Sequence, residues 1–249
     1  MTESYDVLGQ TVSMPVEIRL ANAFTAVYSV NADAAQRAID YSGLEILRFR
    51  PGRGMCCLVF VNYVDGDLGP YNEFGVAFMV RKHTGSGVAK LTGNSQLADL
   101  KALATGNYGV LIHRLPVDGE FTMAAGRGIW GFPKVLADFE ADHTSPTRRG
   151  LVRIDGSEVA ELTVREGFPV PGQGTRMSIA AYSHLDGVTR CVPWQMRPSG
   201  LRSRIGGATL RLGSHPWADE LAGLEMSRRA LFTSAIPTLG MTFEDAEII

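Results

Sequence analysis

The sequence predicts an α+β fold that is mainly β, built as an antiparallel barrel or sandwich with a few peripheral helices. Short extended runs bounded by glycine and proline recur along most of the 249 residues, whereas helical periodicity is scarce. Strands do not alternate regularly with long helices, which argues against a parallel, doubly wound sheet. The chain has no internal repeat and no linker, so residues 1–249 are predicted to form a single domain.

The predicted strands begin after a polar N-terminal arm and continue almost to the end of the chain. Residues 51–54, Pro-Gly-Arg-Gly, separate two of them and indicate a hairpin or meander. Runs of apolar, β-branched and aromatic residues predict strands over residues 24–30, 44–50, 55–63, 72–82, 108–115, 136–142, 150–154, 158–166, 176–183, 188–196, 208–213 and 229–236.

Four segments have helical character. Asn31 is a favourable N-cap for a helix over residues 32–40, and Gly43 ends it. Leucines at helical spacing predict one surface helix within residues 85–107. A short helix is predicted over residues 120–129, where Pro133 prevents its continuation, and another over residues 216–224.

The composition is that of an ordinary globular protein, with 45% hydrophobic and 20% charged residues. A formal net charge of -2 and scattered basic residues predict neither nucleic acid nor an anionic membrane as a partner. The N-terminal residues are acidic where a signal peptide needs basic ones, and no run is apolar enough to span a membrane. Three cysteines without a disulfide-like spacing suit a reducing compartment, so a cytoplasmic location is expected.

One lysine, Lys134, lies in an unusual sequence environment, with Trp130, Phe132, Pro133 and Val135 around it. An exposed lysine has a pKa of about 10.4 and is almost fully protonated at pH 7, so it is a poor nucleophile. Burial among apolar side chains lowers a lysine pKa by up to about 3–5 units, and the neutral amine can form a Schiff base. The alternative is a lysine whose stem lies on apolar surface while its charge reaches water.

The stretch around Lys134 resembles a family signature. Residues 126–134, Gly-Arg-Gly-Ile-Trp-Gly-Phe-Pro-Lys, are similar to the acetoacetate decarboxylase superfamily pattern of Gly-Arg-Glu, a spacer and aromatic-Pro-Lys-Lys. Residues 71–75, Tyr-Asn-Glu-Phe-Gly, resemble a second pattern of that family, Tyr-x-Glu-x-Gly. The resemblance extends weakly over nearly the whole chain. It implies a cone-like antiparallel β-barrel, a Schiff base on the first motif lysine and a homo-oligomer.

The resemblance also implies the roles of individual residues. Lys134 would form the imine, and Glu73 would transfer protons or orient the substrate, although a carboxylate in a strand could equally face solvent. The substrate-binding residues would be Arg127, Trp130, Phe132 and Arg19. The family's N-terminal substrate arginine has no in-register match here. Arg19 lies two residues from it, on the same face of a regular strand.

Three departures from the family pattern affect the expected chemistry. Val135 replaces the second motif lysine, Gly128 replaces the glutamate after Gly-Arg, and an acidic residue before Glu73 is replaced within residues 57–59. Without a like charge next door, desolvation is left as the cause of a lowered lysine pKa. Schiff-base chemistry is therefore still expected.

Other common site patterns are weak in this chain. Residues 126–131 match Gly-x-Gly-x-x-Gly, but a poor preceding strand and Pro133 after it argue against a dinucleotide site. The five histidines are widely separated and form no local zinc motif, and no Gly-x-Ser-x-Gly elbow occurs. No cofactor and no metal are predicted.

These observations predict a Schiff-base-forming lyase that decarboxylates a small keto acid. The first alternative is a pyruvate-dependent aldolase-dehydratase that uses the same lysine, as some members of the superfamily do. The second is a non-catalytic protein that holds a small ligand in the same cavity. Trapping of an imine by borohydride would distinguish the two enzymes from the binding protein.

Overall fold

The structure is a computed structural model that describes residues 3–82, 95–171 and 176–249. Four α-helices lie within these residues: α1 (Ala32–Ile39), α2 (Ser95–Thr105), α3 (Glu120–Trp130) and α4 (Pro216–Gly223). None of the helices in this part of the chain is long and apolar enough to cross a membrane. The strands are β1 (Ser4–Val7), β2 (Gln10–Ser13), β3 (Val16–Asn31), β4 (Arg53–Gly66), β5 (Tyr71–Arg81), β6 (Tyr108–Val117), β7 (Lys134–Leu136), β8 (Asp138–Asp142), β9 (Thr147–Ile154), β10 (Ser157–Arg165), β11 (Phe168–Pro169), β12 (Met177–Leu185), β13 (Val188–Ser199), β14 (Arg202–Ile205), β15 (Ala208–Leu212), β16 (Phe232–Phe243) and β17 (Glu247–Ile248).

Seven strands close into a barrel in the order β16, β3, β4, β5, β6, β12, β13, and β13 pairs again with β16. Neighbouring strands are antiparallel except β6 and β12, which run parallel. Because the ring is closed, these strands leave no unpaired edge in it. An unpaired edge in an open sheet can pair with another chain and cause aggregation. The predicted mainly-β fold is confirmed, with the barrel rather than the sandwich at its centre.

Three of the barrel strands, β3, β4 and β5, bury residues on both of their faces. The inward face forms an interior cluster to which each barrel strand contributes, for example Ala23, Val61, Tyr71, Leu115, Ala181, Val192 and Met241. The outward face of β3, β4 and β5 packs against the second sheet, which has the strand order β15, β10, β9, β8, and against α1 and α4. The long, nearly continuous apolar runs of β3 to β5 follow from this two-sided burial.

Most predicted elements are present, and two predictions need correction. Residues 44–50 do not form a strand, because the segment meets the end of β5 only through the hydrogen bonds from Leu47 N–H to the Met79 carbonyl and from Arg81 N–H to the Glu45 carbonyl. The segment makes two isolated bridges, from Ile46 to Val80 and from Arg50 to Arg53. The polar N-terminal arm, for which no strand was predicted, forms a hairpin of β1 and β2. The helix predicted within residues 85–107 is α2, and residues 83–94 lie outside the described part.

Candidate active site

The chain delivers Lys134 to the barrel through a helix that stops abruptly. Helix α3 ends at Gly131, whose φ of 63° is left-handed, and Gly131 N–H bonds the carbonyls of Arg127 and Gly126. Pro133 cannot continue a helix, so the chain turns into β7, which pairs in parallel with β6 and sets Lys134 beside Leu115. The sequence therefore places the lysine at the first residue of β7, with its side chain directed towards the interior of the barrel.

The lysine side chain lies along the helix that precedes it. A Cβ at Gly126 would approach Lys134 Cδ to 2.5 Å, so only glycine lets the lysine stem pass this close to α3. Lys134 is 3% exposed, and its Nζ donates to Thr122 Oγ1 at 3.0 Å. Nζ also lies 4.8 Å from the centre of the Tyr71 ring. The lysine is thus buried, as its apolar flanks predict, and the alternative of a solvated head does not hold.

Glu73 is the charge partner of Lys134. Its Oε2 lies 3.0 Å from Lys134 Nζ, and Glu73 is 7% exposed. The other carboxylate oxygen, Oε1, accepts a hydrogen bond of 2.9 Å from the hydroxyl of Tyr63. Tyr63 in turn stacks on Tyr71 with ring centres 4.1 Å apart, a cross-strand pair of β4 and β5. The two motifs that the sequence singled out therefore meet inside the barrel.

The protonation of this pair differs from the sequence-based expectation. Burial acts to lower the pKa of Lys134, but the adjacent Tyr71 and Glu73 act in the opposite direction, and the net pKa is raised. The expectation of a lowered lysine pKa was wrong, because it rested on burial alone and left out the raising effect of Glu73, which the family resemblance had already assigned to the site. The raised pKa favours the ammonium form of Lys134, whose Nζ lies beside the Glu73 carboxyl group.

This raised pKa predicts how carbonyl trapping depends on pH. Only the neutral amine adds to a carbonyl, so its fraction, and the trapping rate, should rise by up to about tenfold per pH unit below the lysine pKa. We expect the rate of borohydride trapping with acetone, which has no ionisable group, to rise from pH 7 to pH 10. A rate that is already constant at pH 7 would contradict the raised pKa of Lys134.

The lysine and glutamate face a small cavity of about 40 Å³, far below the roughly 300–1,000 Å³ of pockets for drug-sized ligands. Its walls are mostly aromatic and aliphatic, and among the described residues no arginine lines it. The lining residues are Tyr63, Leu68, Tyr71, Glu73, Ile112, Leu115, Trp130, Phe132, Lys134, Trp194 and Phe243. The cavity suits a compact ligand that meets one cation and one carboxylate.

The predicted aromatic residues of the site line this cavity. Trp130 and Phe132 have ring centres 6.1 Å apart, and both are buried. The indole N–H of Trp130 donates to the carbonyl of Glu244 at 2.9 Å, which fixes the ring against the C-terminal segment. Their proposed contact with substrate remains a prediction, now supported by position.

The two predicted arginines are not brought to the cavity. Arg19 is exposed on the surface and forms ion pairs with Asp65 and Asp67. Register shifts in β3 around Leu20 break the strict alternation that would have turned Arg19 inward. The guanidinium of Arg127 donates to the carbonyl of Lys134 at 3.1 Å, so Arg127 holds the backbone of the lysine rather than a ligand. Neither arginine lines the cavity as the structure describes it, so the structure does not support their predicted contact with substrate.

Several residues of the site were missed from the sequence. Thr122 and Tyr63 touch the Lys134–Glu73 pair but belong to neither motif, and nothing in their sequence surroundings marks them. Tyr71 is the first residue of the Tyr-x-Glu-x-Gly stretch, and strand alternation places it on the face of Glu73, so it could have been found. Trp194 comes from β13, more than fifty residues away from either motif.

Val135, which replaces the second motif lysine, faces away from the cavity. It packs against the cluster between the barrel and the second sheet, which includes Phe60 and Phe74. Successive residues of a strand point to opposite faces, so Lys134 and Val135 lie in different environments. The expected loss of a neighbouring charge therefore does not apply to this site. Across residues 3–82, 95–171 and 176–249, no cluster of three or more His, Cys, Asp or Glu side chains is arranged to bind a metal.

Sequence comparison assigns the family. The sequence model of the acetoacetate decarboxylase (ADC) family matches residues 9–244, nearly the whole chain. The chain belongs to the acetoacetate decarboxylase family. No curated protein sequence matches the chain.

Solved structures of acetoacetate decarboxylases and related enzymes share the fold. The acetoacetate decarboxylase of Legionella pneumophila is 18% identical with a TM-score of 0.64, over 94% of this chain and 87% of that one. An acetoacetate decarboxylase-like enzyme from Sphingomonas wittichii RW1 is 15% identical with a TM-score of 0.63, over 100% of this chain and 99% of that one. The enduracididine biosynthesis enzyme MppR is 15% identical with a TM-score of 0.63, over 94% of this chain and 88% of that one. Its structure was solved in complex with the condensation product of pyruvate and imidazole 4-carboxaldehyde.

Proposed function

We propose that this protein is a Schiff-base-forming lyase that decarboxylates a small β-keto acid through Lys134. The observation that carries the proposal is the contact of Lys134 Nζ with Glu73 Oε2 at 3.0 Å, inside a cavity with otherwise mainly apolar walls. A buried amine next to a proton acceptor is the arrangement that imine formation requires. Family membership supports the same chemistry.

The proposed reaction begins when Glu73 accepts a proton from the Lys134 ammonium, and the free amine adds to the keto carbon. The nitrogen of this adduct loses a proton to the alkoxide oxygen, which gives the carbinolamine. Glu73 then returns its proton to the carbinol hydroxyl, which leaves as water. The resulting protonated imine draws in the electron pair of the bond to the carboxylate, and carbon dioxide departs. The enamine takes a proton on carbon, and water releases the ketone and free lysine. Tyr63 and Thr122 hold Glu73 and the lysine nitrogen in place throughout.

The cavity favours decarboxylation over condensation with pyruvate. A carboxylate that stays through the whole cycle needs a firm partner such as an arginine, whereas loss of carbon dioxide is opposed by a tightly held carboxylate. Among the residues the structure describes, the arginines proposed for that task lie outside the cavity. A carboxylate in apolar surroundings is destabilised relative to neutral carbon dioxide.

Reductive trapping tests this proposal. We expect borohydride with acetoacetate to add a stable adduct to Lys134, located by peptide mass, and acetoacetate alone to yield carbon dioxide and acetone. Turnover only when pyruvate is supplied with an aldehyde would instead identify the aldolase-dehydratase. No adduct with any keto acid would leave a non-catalytic binding protein. A homo-oligomer and a cytoplasmic location remain predictions from the sequence.

A further inference from the structure

Trp194, whose side chain lines the cavity, has a buried indole N–H that donates to no described group. Its side chain lines the same cavity as Lys134 and packs against the interior cluster. The indole Nε1 is shielded from solvent, and no described group accepts a hydrogen bond from it. Indole nitrogen is a donor only, so it needs an acceptor oxygen to be satisfied. An unpaired buried donor is destabilising, and such groups are found where a ligand completes the site.

The neighbours of Trp194 hold its ring in place. The ring stacks on Phe243, with centres 5.2 Å apart and planes inclined by 17°, and the two residues are a cross-strand pair of β13 and β16. Trp130, on the same cavity wall, has its own indole N–H bonded to the Glu244 carbonyl. Of the two tryptophans at the cavity, one is thus anchored to the protein and the other is available to a ligand.

The other polar groups of the cavity are already engaged with one another. Lys134, Glu73 and Tyr63 form a continuous chain of contacts, from Nζ to Oε2 and from Oε1 to the tyrosine hydroxyl. The keto oxygen of the substrate must leave as water when the imine forms, so it cannot keep a lasting partner. The carboxylate is the acceptor that persists until carbon dioxide is lost. A single neutral donor can orient a carboxylate without the firm charge pairing that would oppose its departure.

We propose that the Trp194 indole N–H donates to the substrate carboxylate and so determines the preference of the site for keto acids over simple ketones. This inference rests on the proposed function, because it assumes that the keto carbon lies at Lys134 Nζ. It adds a specificity-determining residue that belongs to neither sequence motif. Compact keto acids are the ligand class, since the cavity is small.

Comparison of a keto acid with its ketone tests the role of Trp194. In Trp194→Phe we expect the half-saturating concentration of acetoacetate in borohydride trapping to rise about tenfold, the usual scale of a lost hydrogen bond to a charged group. The value for acetone, which has no carboxylate, should change less than twofold. Trp217→Phe is the matched control, because Trp217 lies outside the cavity under the Arg114 guanidinium. Equal losses for both ligands, or no loss, would overturn the proposal.

A second measurement separates this inference from the proposed function. The three tryptophans give three indole N–H signals in a ¹⁵N-labelled sample, assigned with the two phenylalanine variants and by elimination. Adding propionate, a carboxylate that cannot form an imine, should shift the Trp194 signal most. A shift without any trapped adduct would retain the carboxylate contact and reject the lyase. An adduct at Lys134 without a selective shift would retain the lyase and reject the role of Trp194.

Discussion

Replacing Lys134 by arginine is expected to abolish both imine trapping and decarboxylation, with turnover at the limit of detection. A guanidinium stays protonated and cannot form an imine, yet it preserves a positive charge beside Glu73. That charge matters for the fold, because an apolar replacement would leave a buried carboxylate without its partner, at a cost of about 3–5 kcal/mol. Turnover, trapped mass and the midpoint of thermal unfolding are measured together.

Lys101→Arg is the matched control for this variant. Lys101 is exposed on α2, so the same substitution there should leave the adduct and the activity unchanged. If Lys134→Arg proves unfolded, Lys134→Gln provides a shorter, neutral substitute that also lacks the amine. Full activity in a folded variant at position 134 would exclude the lysine as the nucleophile.

Replacing Glu73 by glutamine should lower turnover by about 10²-fold or more, the usual scale for a positioned acid or base. The amide cannot accept the protons that leave the lysine nitrogen. The same change removes one cause of the raised pKa of Lys134. Burial, which lowers that pKa, is then less strongly opposed. The pH midpoint of acetone trapping should therefore move to lower values while turnover falls. A lower pH midpoint of trapping together with a lower turnover is expected of a group that both pairs with the lysine and moves protons.

The control for this experiment is Glu120→Gln, at the exposed first residue of α3. That variant should match the wild type in turnover and in its pH profile. A loss of turnover below twofold in Glu73→Gln would return Glu73 to a structural role. A lower turnover without a change of the pH midpoint would separate proton transfer from charge pairing.

The sequence predicted the parts of the site that lie in contiguous motifs. Lys134 and Glu73 were identified together because each sits in a short, recognisable pattern, and the structure places their side chains in contact. Thr122 and Trp194 reach the cavity through helix packing and barrel closure. Neither the helix packing nor the register between distant strands can be read from local periodicity. The partners that complete the site therefore became visible only in three dimensions.

Arg19 and the charge state of Lys134 show two further limits. The inward orientation of Arg19 assumed an unbroken strand, whereas the pairing of β3 with β4 shifts register near Leu20, which local alternation does not reveal. The pKa of Lys134 depends on a carboxylate that arrives from β5, more than fifty residues earlier in the chain. Apolar flanking residues predicted burial correctly, but burial alone did not fix the direction of the pKa shift.

The orientation of Val135 changes how the family signature should be weighted. Two adjacent motif positions occupy separate compartments: residue 134 faces the cavity, and residue 135 contributes to the packing between the barrel and the second sheet. A substitution at position 135 therefore changes the packed core, where the volume and polarity of the side chain decide what is tolerated. A search that requires both lysines would discard chains that, like this one, keep the first lysine in contact with its glutamate partner. For such chains, the first lysine together with the distant Tyr-x-Glu-x-Gly stretch is the more informative criterion.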